Sequence, residues 1–201
     1  AYSQDFLSTL DDEQTVLHVM SLPEEMNQVA VSEGRFPKAA DECMVDNAMG
    51  YEIGDEIVLE SGTDDPVDDT LGTDTFTVVG KGSSPCYISF ERGSTTIGTG
   101  TLDGFLVVPK SAFVTEVYTE AYLQVEGAKE LTTYTDAYDE KIKTVLDRVE
   151  DITGERGRIR RDELIAEAQE ELDEARQELE DGRKTAQEEL ADAWSQIEDG
   201  E

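Results

Sequence analysis

The chain has 201 residues, enough for one α+β domain with a core of about 150 residues and a further extended element. Its 48 Asp and Glu against 16 Lys and Arg give a formal charge of −32, which excludes nucleic-acid backbones as partners and disfavours anionic lipid. Such acidity fits a solvated surface in a salty or extracellular setting, with an acid-dependent binding role as the alternative.

No run of 18 apolar residues is present, so the sequence as it stands carries no membrane span, and no signal-peptide pattern opens it. It starts at Ala1 instead of Met and stops at Glu201 in the middle of a repeat. We therefore expect a longer parent sequence with room for a membrane anchor. Cys43 and Cys86 lie in the apolar, strand-like settings ECMVD and PCYISF and read as buried thiols. A disulfide between them is the alternative and would mark an oxidising compartment.

In chain order, residues 2–10 and 14–22 read as two short strands around Asp11-Asp12-Glu13, the second carrying Val16, Leu17, Val19 and Met20. His18 is the sole histidine and reads as a residue on the less buried face of that strand. With two cysteines it lacks a fourth ligand for zinc. Strand, turn and strand follow through 33–37, 41–46 and 53–59, with Gly54-Asp55 as a turn signal. Residues 75–80 form another β-rich run after the acidic loop 62–74. That loop lacks the spacing of an EF-hand and reads as a solvated hairpin tip. Gly80-Lys81-Gly82-Ser83 fails as a phosphate loop on spacing and context. Further strands are expected at 86–90, at 104–108, where Pro109 ends the run, and at 120–126, with a short helical turn at 110–114.

From 134 to 152 the period changes to three and four, with Tyr138, Ile142, Val145, Leu146, Val149 and Ile152 forming an amphipathic helix fit to cover a sheet. Gly154 and Gly157 are expected to interrupt it. The basic run Arg156, Arg158, Arg160 and Arg161 sits at this junction. It reads as a clamp onto the acidic body, as solvated arginines, or as a contact to phospholipid headgroups.

The last forty residues read as one straight helix. EELDEARQELEDGR at 170–183 and EELADAWSQIEDGE at 188–201 nearly repeat at an offset of 18 residues, five turns of an α-helix. Leu164, Ala168, Leu172, Ala175, Leu179, Gly182, Ala186, Leu190, Ala193 and Ile197 recur three or four apart and form one stripe. Large residues beside Ala and Gly suit close packing against a second helix. Residues 162–201 carry 16 Asp and Glu against Arg176, Arg183 and Lys184, so few i,i+4 pairs support the helix alone. We expect a coiled-coil mate, an antiparallel helix from the parent sequence or from a second chain.

No catalytic constellation is present: no G-x-S-x-G, no H-E-x-x-H, no Rossmann glycines and no Cys-x-x-Cys. Carboxylate pairs are too abundant to single any out. We therefore expect no catalytic residue, no cofactor and no metal site.

Several runs in order resemble a known family. Gly34-Arg35-x-Pro37, Glu42-Cys43-x-Val45-Asp46, Ile53-Gly54-Asp55 and Phe76-Thr77-Val78-Val79-Gly80 are similar to the extracytoplasmic core domain of MacB/FtsX-type ABC transporter permeases. Tyr87-Ile88-Ser89-Phe90-Glu91-Arg92-Gly93, Gly104-Phe105-Leu106, and Pro109 followed by Ala112-Phe113 resemble its Gram-positive branch, whose outer domain carries an acidic coiled coil. The resemblance implies membrane helices on either side of the domain, a second permease copy or half, and a separate cytoplasmic ABC ATPase subunit. It also implies a place on the extracellular face of the cell membrane.

The fold expected is α+β: a mixed or antiparallel β-rich core with a covering helix in 1–153, and a long acidic helix, half of a coiled-coil hairpin, in 154–201. The function expected is non-catalytic, coupling an ATPase cycle to substrate or partner engagement outside the membrane. A secreted or surface-attached coiled-coil interaction module is the alternative, and a hydrolase using a carboxylate pair is a third reading.

Overall fold

Alternating apolar residues and tight turns build a seven-stranded mixed sheet, and one helix of 63 residues follows it. The computed structural model describes residues 1–198, with side chains through Trp194. The chain falls into two compact units, Ala1–Leu123 and Gln124–Glu201.

The first unit holds β1 (Ser3–Leu10), β2 (Glu13–Ser21), β3 (Ala30–Gly34), β4 (Glu42–Asp46), β5 (Glu56–Val58), β6 (Thr75–Ser83) and β7 (Gly104–Val108). Their order is β1-β2-β7-β4-β6-β3, with β5 also paired to β6. β2 runs parallel to β7 and β4 parallel to β6, and the other pairs are antiparallel. The β1–β2 hairpin turns on Asp11 and Asp12, both at positive φ (52° and 65°). This is the two-residue geometry whose twist matches the strands. The turn sets Asp5 opposite His18 and Phe6 opposite Leu17.

β4 and β7 are buried on both faces because they occupy the middle of the sheet. Cys43 and Val45 of β4 and Leu106 and Val108 of β7 join the larger core with Phe6, Leu17, Val19, Phe76 and Val78. The intervening Met44, Phe105 and Val107 form a smaller core with Met20 and Val29. Within this unit the larger core is closed by connecting segments: Met49, Tyr51, Leu59, Leu71, Ala112 and Phe113 pack over it. Each fully buried large side chain contributes about 1.5–3 kcal/mol.

Loop 62–74 does join antiparallel β5 and β6, and its Asp64, Asp65, Asp68 and Asp69 are exposed. Its end is not solvated, however, since Leu71 is fully buried and bridges Phe113. Pro109 closes β7, and a short 3-10 turn follows at Lys110–Ala112. Gly80-Lys81-Gly82-Ser83 is the end of β6, extended backbone with no cradle for phosphate.

Two expected strands are absent. Residues 86–90 and 120–126 have strand-like composition but no ladder partner, and β-propensity expresses itself only where a sheet edge accepts the segment. Conversely β3, exposed along its whole length, shows no alternation to mark it.

In the second unit, a 3-10 turn at Ala128–Glu130 precedes α1 (Asp136–Glu198). The helix passes through Gly154 and Gly157 unbroken, so the two helices expected on either side of them are one. Each glycine costs about 1 kcal/mol in a helix interior, too little to stop one flanked by good helix formers. At 1.5 Å per residue α1 is about 95 Å long.

Candidate interaction surfaces

The segment after β6 is tied down at two points over the smaller core. Tyr87 lays its ring on Phe105, centroids 5.2 Å apart and planes 9° from parallel. Burial pushes its phenol up to about 12. Arg92 reaches the buried end of β4: its Nε donates to Asp46 Oδ2 at 2.6 Å and its Nη2 to Oδ1 at 3.2 Å. Asp46 is 2% exposed and also accepts the Ala48 N–H at 3.0 Å. The buried carboxylate is therefore fully engaged. Arg92 Nη1 donates to the Ser89 carbonyl, closing the loop on itself. Between these anchors Ile88 (94% exposed) and Phe90 (104%) point into solvent. The expected strand is thus a strapped loop, with Tyr87 turned inward and Ile88 and Phe90 outward.

A second link joins two of the quoted runs. Arg35 pairs with Glu42 through Nη2–Oε1 at 2.5 Å and Nη1–Oε2 at 2.8 Å. Lys38 and Ala39 donate their N–H groups to the same carboxylate at 2.8 and 3.2 Å. These bonds hold the Glu42 carboxyl down at about 2, with the Arg35 hydrogen bond as the largest cause.

His18 lies between two carboxylates. Its Nδ1–H donates to Asp5 Oδ1 at 2.7 Å, and Nε2 stands 3.6 Å from Glu120 Oε1. Asp5 is its cross-strand partner, so hairpin register creates the contact. Among the described residues no hydroxyl or thiol bonds to His18, and no group of three His, Cys, Asp or Glu could hold a metal ion. Cys43 is buried and Cys86 exposed, both as free thiols, so the buried-thiol reading holds for Cys43 alone. Burial raises the Cys43 thiol well above its usual range and makes it inert.

A cavity of about 280 Å³ opens beside the β1–β2 sheet end, lined by Tyr2, Met20, Leu22, Met26, Tyr118 and Tyr122, with Glu24, Glu25 and Glu120 at its acidic rim. Tyr2 stacks on Tyr118 at 4.7 Å. Lys110 lies over both rings and donates to the Tyr118 hydroxyl at 2.8 Å. That bond raises the lysine and lowers the phenol relative to their ordinary values. Lys110, the one basic side chain lining the cavity among the described residues, is thus already engaged.

The stripe residues Leu164, Ala168, Leu172, Ala175, Leu179, Gly182, Ala186, Leu190 and Ala193 all lie on α1. At about 100° per residue they occupy a band about 80° wide. Its leucines are bare: Leu164 47% exposed, Leu172 49%, Leu179 66% and Leu190 62%. The side chain of Ile197 lies outside the described residues. Ile165 and Trp194, 54% and 62% exposed, border the same band, and sequence reasoning had left them out because they fall off its strict spacing. Tyr138, Ile142, Val145, Val149 and Ile152 lie on another face, rotated by about 120°. In sequence, Arg156, Arg158, Arg160 and Arg161 come between the residues of the two faces. Arg160 approaches Glu163 and Glu167 at 3.6 and 3.7 Å, and Arg161 pairs with Asp162 at 2.9 Å. No helix among the described residues is long and apolar enough to cross a membrane.

No family model matches this chain, and no curated protein matches it. A solved structure that matches is the extracellular domain of the noncanonic ABC-type transporter YknZ from Gram-positive bacteria, with 10% identity and a TM-score of 0.32. The match covers 54% of this chain and 51% of that one, so the chain spans about half of that domain's length. An overlap this loose carries no argument.

Proposed function

We propose that this chain is an extracytoplasmic domain of a MacB/FtsX-type ABC transporter permease, without catalysis of its own, engaging a substrate or partner outside the membrane while a separate cytoplasmic ATPase supplies the energy. The observation that carries this reading is that the family-like runs are bound to one another. Gly34-Arg35 and Glu42 are joined by the Arg35–Glu42 pair, and Asp46 and the Tyr87–Gly93 run by the Asp46–Arg92 pair. Val78 of the Phe76–Gly80 run accepts the Gly54 N–H at 2.8 Å. Residues scattered over the sequence therefore form one structural unit of β3, β4, β6, β7 and the strapped loop. In this reading residues 1–153 serve as the core and 154–201 as an arm whose stripe takes an antiparallel helix or a second chain, and the intact permease pairs with a second copy or half. The test is the parent gene: membrane spans encoded on both sides of this chain support the reading, and a parent without spans overturns it.

The exposed leucines of α1 favour a second reading, a secreted or surface-attached module that binds another protein through a coiled coil. A wall-anchor signal in a parent with no spans is the result that selects it.

A further inference from the structure

The two flanks of the α1 stripe differ in charge. At about 100° per residue, Glu167, Glu171, Glu178 and Glu189 run along one flank, and Ile165, Arg176, Arg183 and Trp194 along the other. Residues 162–201 contain three basic residues, and two of them fall on this second flank. Glu171 precedes Arg176, and Glu178 precedes Arg183, by five positions each. Five is the offset at which the flank residue of one helix meets the opposite flank of its mate in a parallel, in-register pair, and such flank charges set orientation. Leu172 and Leu179 would form wide core layers, and Ala175 and Gly182 narrow ones that let the backbones approach.

We propose that residues 164–194 form a parallel, in-register seam with a second copy of this chain, in which Glu171 and Glu178 pair with Arg176 and Arg183 of the partner subunit. Two-fold symmetry doubles the two pairs. Turning one copy end for end sets acid against acid on one side and arginine against arginine on the other, so charge favours the parallel arrangement of a self-pair. The net charge of residues 162–201, 16 acids against three bases, opposes association in either orientation. It is spread along the helix and screened over about 8 Å at physiological ionic strength, whereas the flank pairs are in direct contact. The inference stands on α1 alone, and its failure leaves the permease reading intact.

The experiment is sedimentation equilibrium on the whole chain and on two double variants, Arg176→Glu/Arg183→Glu and Glu171→Arg/Glu178→Arg, with circular dichroism to confirm that each remains helical. The chain should self-associate, each double variant should do so at least about tenfold more weakly, and an equimolar mixture of the two should recover the original affinity. The second variant is the sharper of the two, because its lower net charge alone would strengthen association. Orientation is read in a Cys86→Ser background from single Ala168→Cys and Ala186→Cys variants. Parallel pairing makes each crosslink to itself. A chain monomeric at every soluble concentration, charge reversals without effect, or crosslinks formed only when the two cysteine variants are mixed would each overturn the proposal.

Discussion

Asp46 and Arg92, 46 positions apart in sequence, form a two-pronged ion pair at the buried end of β4. The pair fastens the loop that carries Ile88 and Phe90 across the smaller core. Removing the arginine leaves a carboxylate that is 2% exposed without its counter-charge, which is strongly destabilising. Arg92→Ala should cost about 3–5 kcal/mol in urea denaturation and open residues 84–92 to proteolysis. An unchanged midpoint would show that the strap contributes nothing.

The Arg35–Glu42 pair gives the sheet a pH dependence of definite sign. The folded carboxyl is held at about 2 against an ordinary 4.5. Its contribution is complete above the unfolded value and disappears as pH falls from about 4.5 to 2. Glu42→Gln should flatten the stability profile in that window and leave its shape near neutrality unchanged. A wild-type profile with no slope there contradicts the assignment.

Gly80 has no room for a side chain. A Cβ there would stand 2.2 Å from the Arg35 carbonyl oxygen and 3.0 Å from Met44 Cε. Gly80→Ala should cost about 1–3 kcal/mol because backbone cannot yield as a side-chain tip can. At Gly154 an added Cβ meets nothing within 4 Å, so Gly154→Ala should stabilise α1 by about 1 kcal/mol. Thermal melts of the two variants should move in opposite directions, and a shared direction would defeat the packing argument.

A charge in the α1 stripe separates the two units. Leu179 is 66% exposed on α1, so Leu179→Asp should abolish self-association and loosen the C-terminal part of α1 while unit Ala1–Leu123 stays folded. Hydrogen exchange read segment by segment makes the check, and protection lost throughout the chain would show that the units fold as one.

Local signals were legible where a single segment settles its own conformation. The β1–β2 hairpin follows from two strand-like runs around Asp11-Asp12-Glu13, and β7 stops where Pro109 removes a donor. The α+β class and the α1 stripe followed the same way, from period alone. Residues 86–90 and 120–126 misled because composition reports willingness to be a strand, whereas a strand also needs a neighbour. The glycine interruption failed on magnitude, about 1 kcal/mol per site against the continuity of a 63-residue helix. Asp46–Arg92 and Tyr87–Phe105 were invisible because each joins distant segments, and the flank charges beside the stripe became meaningful only once α1 was one element with a known angular frame.

The most direct measurement follows the tagged full-length protein through fractionation of its own cells. The account predicts that it stays in the membrane fraction after salt washing, that external protease cleaves the region spanning this chain in intact cells, and that an ATP-binding subunit co-purifies. A full-length protein released into the medium or wall fraction, with no ATP-binding partner, would contradict it.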